Sequence, residues 1–154
     1  WLPMVDILLI NDAEAAGLLG IDGETFTANA DLHIAQIGKK LAPGAIVVVK
    51  RGRHGASACM GDDIVSAAVP GAVEVVDTVG AGDCFNAGFL LAFQRGAGLV
   101  DCLRAGIEVA GKTIASHPRH YPGLGDLCAP ISALLDPANQ SKTDFMTFDQ
   151  VENG

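Results

Sequence analysis

The apolar positions of this chain change their spacing several times, and each change marks a predicted element. Residues 5–10 are a short apolar run broken only by Asp6 and read as a buried strand. Asn11 or Asp12 can cap the short helix that follows, which contains Ala13, Glu14, Ala15, Ala16, Leu18 and Leu19. Gly17 and Gly20 limit its length. A loop through Asp22, Gly23 and Glu24 leads into a predicted helix over roughly residues 27–41, where Leu32, Ile34, Ile37 and Leu41 recur near helical spacing. Pro43-Gly44 marks a turn. Residues 45–50 are the clearest strand. They are apolar and β-branched without polar alternation, which predicts coverage on both faces, as in a parallel sheet.

Residues 55–60 and 64–69 flank the turn signal Gly61-Asp62-Asp63 and read as a hairpin ended by Pro70-Gly71. An extended piece over 73–76 precedes a helix that runs to about Gln94 or Arg95 and stops at Gly96-Ala97-Gly98. A second helix over about 99–116 carries Leu103, Ile107, Ala110 and Ile114 on one face, and Pro118 and Pro122 close it. A weak helical turn is expected at 131–135, before a polar tail. Strand, helix, helix, strand, hairpin, helix, helix is the order of an α/β domain with helices covering a sheet.

Composition supports a packed core. The chain has 154 residues, 49% of them hydrophobic and 18% charged, so it is neither disordered nor fibrous. The formal net charge of −8 excludes a general attraction for nucleic acid or an anionic membrane. An anionic ligand must therefore be held by local features. Lys50, Arg51 and Arg53 are such a feature, clustered although the chain has only ten Lys and Arg. The bland alternative is a solvated turn between strands. Cys59, Cys84, Cys102 and Cys128 show no zinc spacing and read as buried thiols of a reducing, cytoplasmic environment. The first residues carry no basic segment or long apolar run, and the early strand reads as an entry into the middle of a fold.

The candidate chemistry centres on Asp77-Thr78-Val79-Gly80-Ala81-Gly82-Asp83, which precedes the apolar segment starting at Cys84. Small residues at 80–82 leave backbone N–H groups open to an anion, and the helix start adds unpaired donors and a positive dipole end. A carboxylate at Asp83 repels a phosphate, so its placement calls for a chemical reason. Taking a proton from an attacking hydroxyl is one.

This segment resembles the second signature of the PfkB (ribokinase-like) family of carbohydrate kinases, with residues 77–90 fitting the pattern throughout. The resemblance implies a ribokinase-like three-layer αβα sandwich and ATP-dependent phosphorylation of a hydroxyl on a sugar or sugar acid. It assigns Asp83 as catalytic base and Gly80, Ala81 and Gly82 as the anion hole. Asn11-Asp12-Ala13-Glu14 is similar to the family's Asn-x-x-Glu motif, which implies Mg²⁺ handled through water by Asn11 and Glu14. Read from the residues alone, ordinary helix capping explains the same pair. Lys50-Arg51-Gly52-Arg53-His54-Gly55 is similar to the strand-end loop that contacts the nucleotide, which places Lys50, Gly52 and Gly55 at ATP. Lys at position 50, where many relatives have Thr, looks like the keto-deoxy-sugar-acid and inositol-pathway kinases. Two readings stand side by side for Asp77: K⁺ binding with the Val79 carbonyl, as the resemblance implies, or an Asx-type turn.

The resemblance covers roughly residues 5–127 and matches only the C-terminal portion of the family domain. The expected plan is a nucleotide-binding and catalytic half at 1–135 and a poorly ordered polar tail at 136–154. A complementing N-terminal half or a second copy would cover the resulting sheet edge. A non-catalytic nucleotide-binding fragment or interaction module is the competing reading. A dinucleotide-binding oxidoreductase fits poorly, because Phe85 stands where the fingerprint needs its third glycine. His33 and His120 are isolated, and Glu108 and Lys112 read as a solvated helical pair.

Overall fold

The computed structural model describes residues 1–71, 78–115 and 120–139. Strand β1 (Ile7–Asn11) leads into helix α1 (Asp12–Leu19), followed by α2 (Gly23–Ala28), α3 (Ala30–Gly38) and β2 (Ile46–Lys50). A hairpin of β3 (Ala56–Met60) and β4 (Asp63–Ala67) precedes α4 (Ala81–Gln94), α5 (Leu99–Ile114) and α6 (Ala129–Leu135). The expected extended piece at 73–76, the residues closing α5 after Ala115, and the tail from 140 onward lie outside the described residues.

The strands form one mixed sheet in the order β1-β2-β3-β4. β1 runs parallel to β2, while β3 and β4 add antiparallel neighbours. The apolar run of β2 is buried from Ile46 to Val49. Its residues alternate between two cores, which is why the sequence shows no polar alternation there. Ile46 and Val48 join Phe85, Phe89, Leu103 and Ile107 beneath α4, α5 and α6. Val47 and Val49 join Phe26, Ile34 and Ile37 beneath α1, α2 and α3. Helices thus cover both faces of the sheet, and the αβα sandwich expected from the resemblance is present. The sheet is mixed rather than parallel because a hairpin follows β2.

The single helix expected over 27–41 is two helices. Asp22 caps α2 by accepting hydrogen bonds from the Thr25 amide and hydroxyl, at 2.8 and 2.7 Å. Asn29 then leaves helical backbone (φ −138°, ψ 48°), and α3 starts anew. The break buries Phe26 and His33 together, stacked at 5.5 Å, with His33 Nδ1 3.2 Å from the Phe26 carbonyl oxygen. His33 is therefore a satisfied core histidine.

Helices α4 and α5 pack almost backbone to backbone. A Cβ added at Gly88 would fall 2.8 Å from the Ala105 carbonyl oxygen, and one at Gly106 would fall 2.9 Å from Phe85. Gly55 is as tightly placed: at φ 84° its Cβ would overlap the Ala67 carbonyl oxygen at 2.0 Å. Arg95 at the C-terminus of α4 donates to the Leu134 carbonyl at 3.2 Å, satisfying an orphan acceptor at the end of α6.

These contacts predict opposite outcomes for two glycine-to-alanine changes inside helices. Gly106→Ala should destabilise the chain by about 1–3 kcal/mol, because neither backbone nor ring can retreat. Gly17→Ala, with nothing within 4 Å of the new methyl, should be neutral or stabilising by up to about 1 kcal/mol. Urea titrations followed by circular dichroism would check both.

Candidate functional site

The carboxyl ends of β1 and β2 lie side by side, since Asn11 is in register with Lys50 in the parallel pair. Ligands of open α/β sheets gather beyond such strand ends. Two of the three motifs singled out in the sequence are therefore neighbours in space, although Asn11 and Lys50 are far apart in the chain.

The third motif arrives through α4. Gly80 is its N-cap, in left-handed backbone (φ 79°) that a side chain would strain. No side chain caps the helix. The Ala81 amide donates to the Thr78 carbonyl at 3.2 Å, so that donor of the expected anion hole is engaged. The amides of Gly80, Gly82 and Asp83 have no acceptor among the described residues. Asp83 stands exposed in the first turn, and no hydrogen-bond partner for its carboxylate occurs among the described residues. It is thus available to a ligand rather than committed to the core.

Lys50 reaches this helix mouth. Its Nζ donates to Asn86 Oδ1 at 3.1 Å, and a Cβ added at Gly82 would lie 3.4 Å from the same nitrogen. Among the described residues no carboxylate pairs with the ammonium. The resemblance placed Lys50 at a nucleotide, but no signal in the sequence joined it to Asn86, one turn after Asp83.

Asn11 and Glu14 form a reciprocal capping box. Glu14 N–H donates to Asn11 Oδ1, and Asn11 N–H donates to Glu14 Oε2, each at 2.8 Å. Glu14 Oε1 has no partner among the described residues and remains available to a hydrated cation. No group of three or more His, Cys, Asp or Glu that could hold a metal directly occurs among the described residues. Mg²⁺ keeps several waters and needs only one or two carboxylates, so Glu14 fits a hydrated Mg²⁺. Asp77 lies outside the described residues; Val79 is exposed.

The loop after β2 is a short turn over Gly52–His54, with Gly52 at φ 51° and Gly55 at φ 84°. The Arg51 amide closes it on the Gly55 carbonyl at 2.8 Å. Arg51 also donates to Ser57 Oγ at 3.3 Å, and Ser57 is bonded to Ser66 at 2.8 Å. Arg53 and His54 are exposed. Of the loop's basic residues, only Lys50 reaches α4 in the contacts described.

Glu108 does not pair with Lys112. It instead accepts hydrogen bonds from the Cys128 amide and from the Cys128 thiol, the latter at 2.7 Å. Two donors from one residue outcompete a flexible ammonium in water. The carboxylate beside it raises the Cys128 thiol above its ordinary value, although Cys128 is exposed. Burial, helped by the Asp101 charge, raises Cys102 to about 11. His120 bonds Asp126 at 3.1 Å, and that contact with the Gly123 amide holds the Asp126 carboxyl below the usual range. No helix among the described residues is long and apolar enough to cross a membrane.

Comparison with known proteins bears on this geometry. The model of the pfkB family carbohydrate kinase matches residues 1–120. An uncharacterized sugar kinase of Archaeoglobus fulgidus is 44% identical over 72 residues, covering 47% of this chain and 28% of that protein. Ribokinase of Arabidopsis thaliana is 35% identical over 106 residues, covering 67% and 27%. A probable sugar kinase from Rhizobium etli superposes with a TM-score of 0.68 at 31% identity, over 84% of this chain and 37% of that one. Arabidopsis ribokinase complexed with ribose and ATP superposes at 0.67 with 28% identity, over 88% and 42%. The chain covers 26% to 37% of the length of the curated relatives it matches.

The Glu108 contacts predict thiol reactivity. At pH 8 the raised value keeps Cys128 protonated, so it should alkylate slowly for an exposed cysteine. Glu108→Gln removes the carboxylate, lowers the thiol's value and should speed Cys128 labelling severalfold. Iodoacetamide labelling read by mass spectrometry checks the direction, with Cys102 unlabelled in both forms.

Proposed function

The chain belongs to the pfkB family of carbohydrate kinases, and we propose that residues 1–135 form the nucleotide-binding, catalytic half of such an enzyme. The reaction is transfer of the ATP γ-phosphoryl group to a hydroxyl of a sugar or sugar acid. The observation that carries this reading is the mouth of α4, where among the described residues the Gly80, Gly82 and Asp83 amides find no acceptor and the Asp83 carboxylate no partner, with the Lys50 ammonium close by.

In this reading the loop from Lys50 to Gly55 lies along the nucleotide, with Gly52 and Gly55 letting backbone approach it. The free amides receive an oxygen of the γ-phosphoryl group, and the positive end of α4 favours the charge that spreads there during transfer. Asp83 accepts the proton of the acceptor hydroxyl. The hydroxyl oxygen bonds to phosphorus, the bond to the bridging oxygen breaks, and ADP leaves with that electron pair. Mg²⁺, when bound, neutralises phosphate charge, and Asn11 and Glu14 would hold its waters. A monovalent cation such as K⁺ at Asp77 and the Val79 carbonyl completes the reading.

Relatives named as ribokinase, 1-phosphofructokinase and adenosine kinase support a hydroxyl acceptor without choosing one. β1 supports the half-domain reading. Among the described residues it pairs only with β2, and all of its residues are merely half-buried, whereas β2 is buried from Ile46 to Val49. A complementing N-terminal half, or a second copy, would extend the sheet there. Cysteine usage fits a cytoplasmic protein.

Asp83→Asn tests the base. Turnover should fall about 100- to 10,000-fold while ATP affinity holds or improves, because a repelling charge is removed. ADP release across a sugar and sugar-acid panel, measured on this chain and on its full reading frame, is the assay. Unchanged turnover removes Asp83 as base. ATP binding without ADP release on any acceptor, from the full frame, favours a non-catalytic module.

A further inference from the structure

We propose that Asn86 is a positioning residue. Its amide oxygen holds the Lys50 ammonium over the mouth of α4, so that this charge acts on the nucleotide's terminal phosphates and not on its base or sugar. The proposal rests on the nucleotide reading above and specifies where in the ligand the Lys50 charge is used.

The placement of Lys50 is electrostatically odd. A cation near a helix N-terminus opposes the macrodipole, whose positive end favours anions. Most helix designs put Lys at the other end. Here the ammonium sits against Gly82 and Asn86, in the first two turns of α4, with no carboxylate paired to it among the described residues. Two positive features are brought together with only the Asp83 carboxylate nearby, and it is hydrogen-bonded to neither among the described residues, so the mouth suits an incoming anion. A phosphoryl group with several charged oxygens suits both.

The partner that holds Lys50 is suited to that task. A carboxylate at position 86 would grip an ammonium more strongly but cancel its charge. A neutral amide oxygen fixes the nitrogen and leaves the charge for the ligand. Lys carries a long flexible stem, and tethering its tip before the ligand arrives removes that ordering cost from the binding step. The tether spans 36 positions in the chain and joins β2 to α4. It therefore also fixes the strand-end loop relative to the helix mouth. Among the described residues the Asn86 side chain makes no hydrogen bond to its own helix start, so capping does not account for it.

A double-mutant cycle on Lys50→Met and Asn86→Ala tests this, with ATP and adenosine titrated by calorimetry against the full chain. Lys50→Met should weaken ATP about 10- to 100-fold, the range for a charge-assisted hydrogen bond. Asn86→Ala should weaken it by a smaller factor. The double variant should match Lys50→Met alone, because Asn86 acts only through Lys50. Adenosine affinity should stay unchanged throughout. Equal losses for Asn86→Ala in the wild-type and Lys50→Met backgrounds would overturn the proposal, as would parallel losses for ATP and adenosine. Should Asn86→Ala not fold, Asn86→Asp serves. It keeps the acceptor and favours the helix start, so the melting temperature should hold or rise while ATP weakens; unchanged ATP affinity rejects the role. Wild-type chain and full reading frame that both ignore ATP would instead defeat the nucleotide reading itself.

Discussion

The close crossing of α4 and α5 is the constraint on which the site depends. Gly88 lies against the Ala105 backbone and Gly106 against Phe85, leaving no room for a methyl group at either point. Packing at that distance sets the direction of α4 and hence where its N-terminus opens relative to the sheet. The core beneath, with Phe85, Phe89 and Leu103 against Ile46 and Val48, locks the helix onto the same strand that ends in Lys50. A loosely packed pair of helices would leave the amides of the mouth free to drift from the ammonium, and electrostatic help falls off quickly with distance and hydration.

The strand at 46–50, the hairpin and the signature helix were legible because each is dictated by local pattern: an unbroken β-branched run, a Gly-Asp turn, a glycine cluster before an apolar stretch. The capping box at Asn11 and Glu14 was equally legible, being a contact between residues three apart. Relations across the chain were not legible. Nothing in the spacing joins Lys50 to Asn86, because a lysine at a strand end reads the same whether it points to water or across a sheet. The break at Asn29 was missed because Leu32, Ile34, Ile37 and Leu41 sustain a helical period that tertiary packing of Phe26 and His33 then overrides. Glu108 was assigned to Lys112 by the i, i+4 rule, whereas a cysteine beyond the helix offered two donors.

The charge distribution fits a ligand recognised at one spot. An acidic chain repels a polyanion everywhere except where donors are concentrated. At the α4 mouth those donors are backbone amides and a single ammonium held by a neutral group. In the proposed kinase reading this arrangement would confine affinity to the phosphoryl group, and Lys50 and the helix dipole would offset the repulsion between the Asp83 carboxylate and an incoming phosphate.

The hairpin after the loop has a consequence for engineering. Gly55 is pressed onto the Ala67 carbonyl, so the base of β3 and β4 is closely packed where the two strands meet the loop after β2. At the other end, a Cβ added at Gly61 would meet nothing within 4 Å, and both Gly61 and Asp62 are exposed. Met60, just before the tip, lies opposite Ile46, at the end of β2 away from Lys50. A peptide tag or reporter grafted between Gly61 and Asp62 would therefore sit far from the proposed site and give a handle for immobilisation.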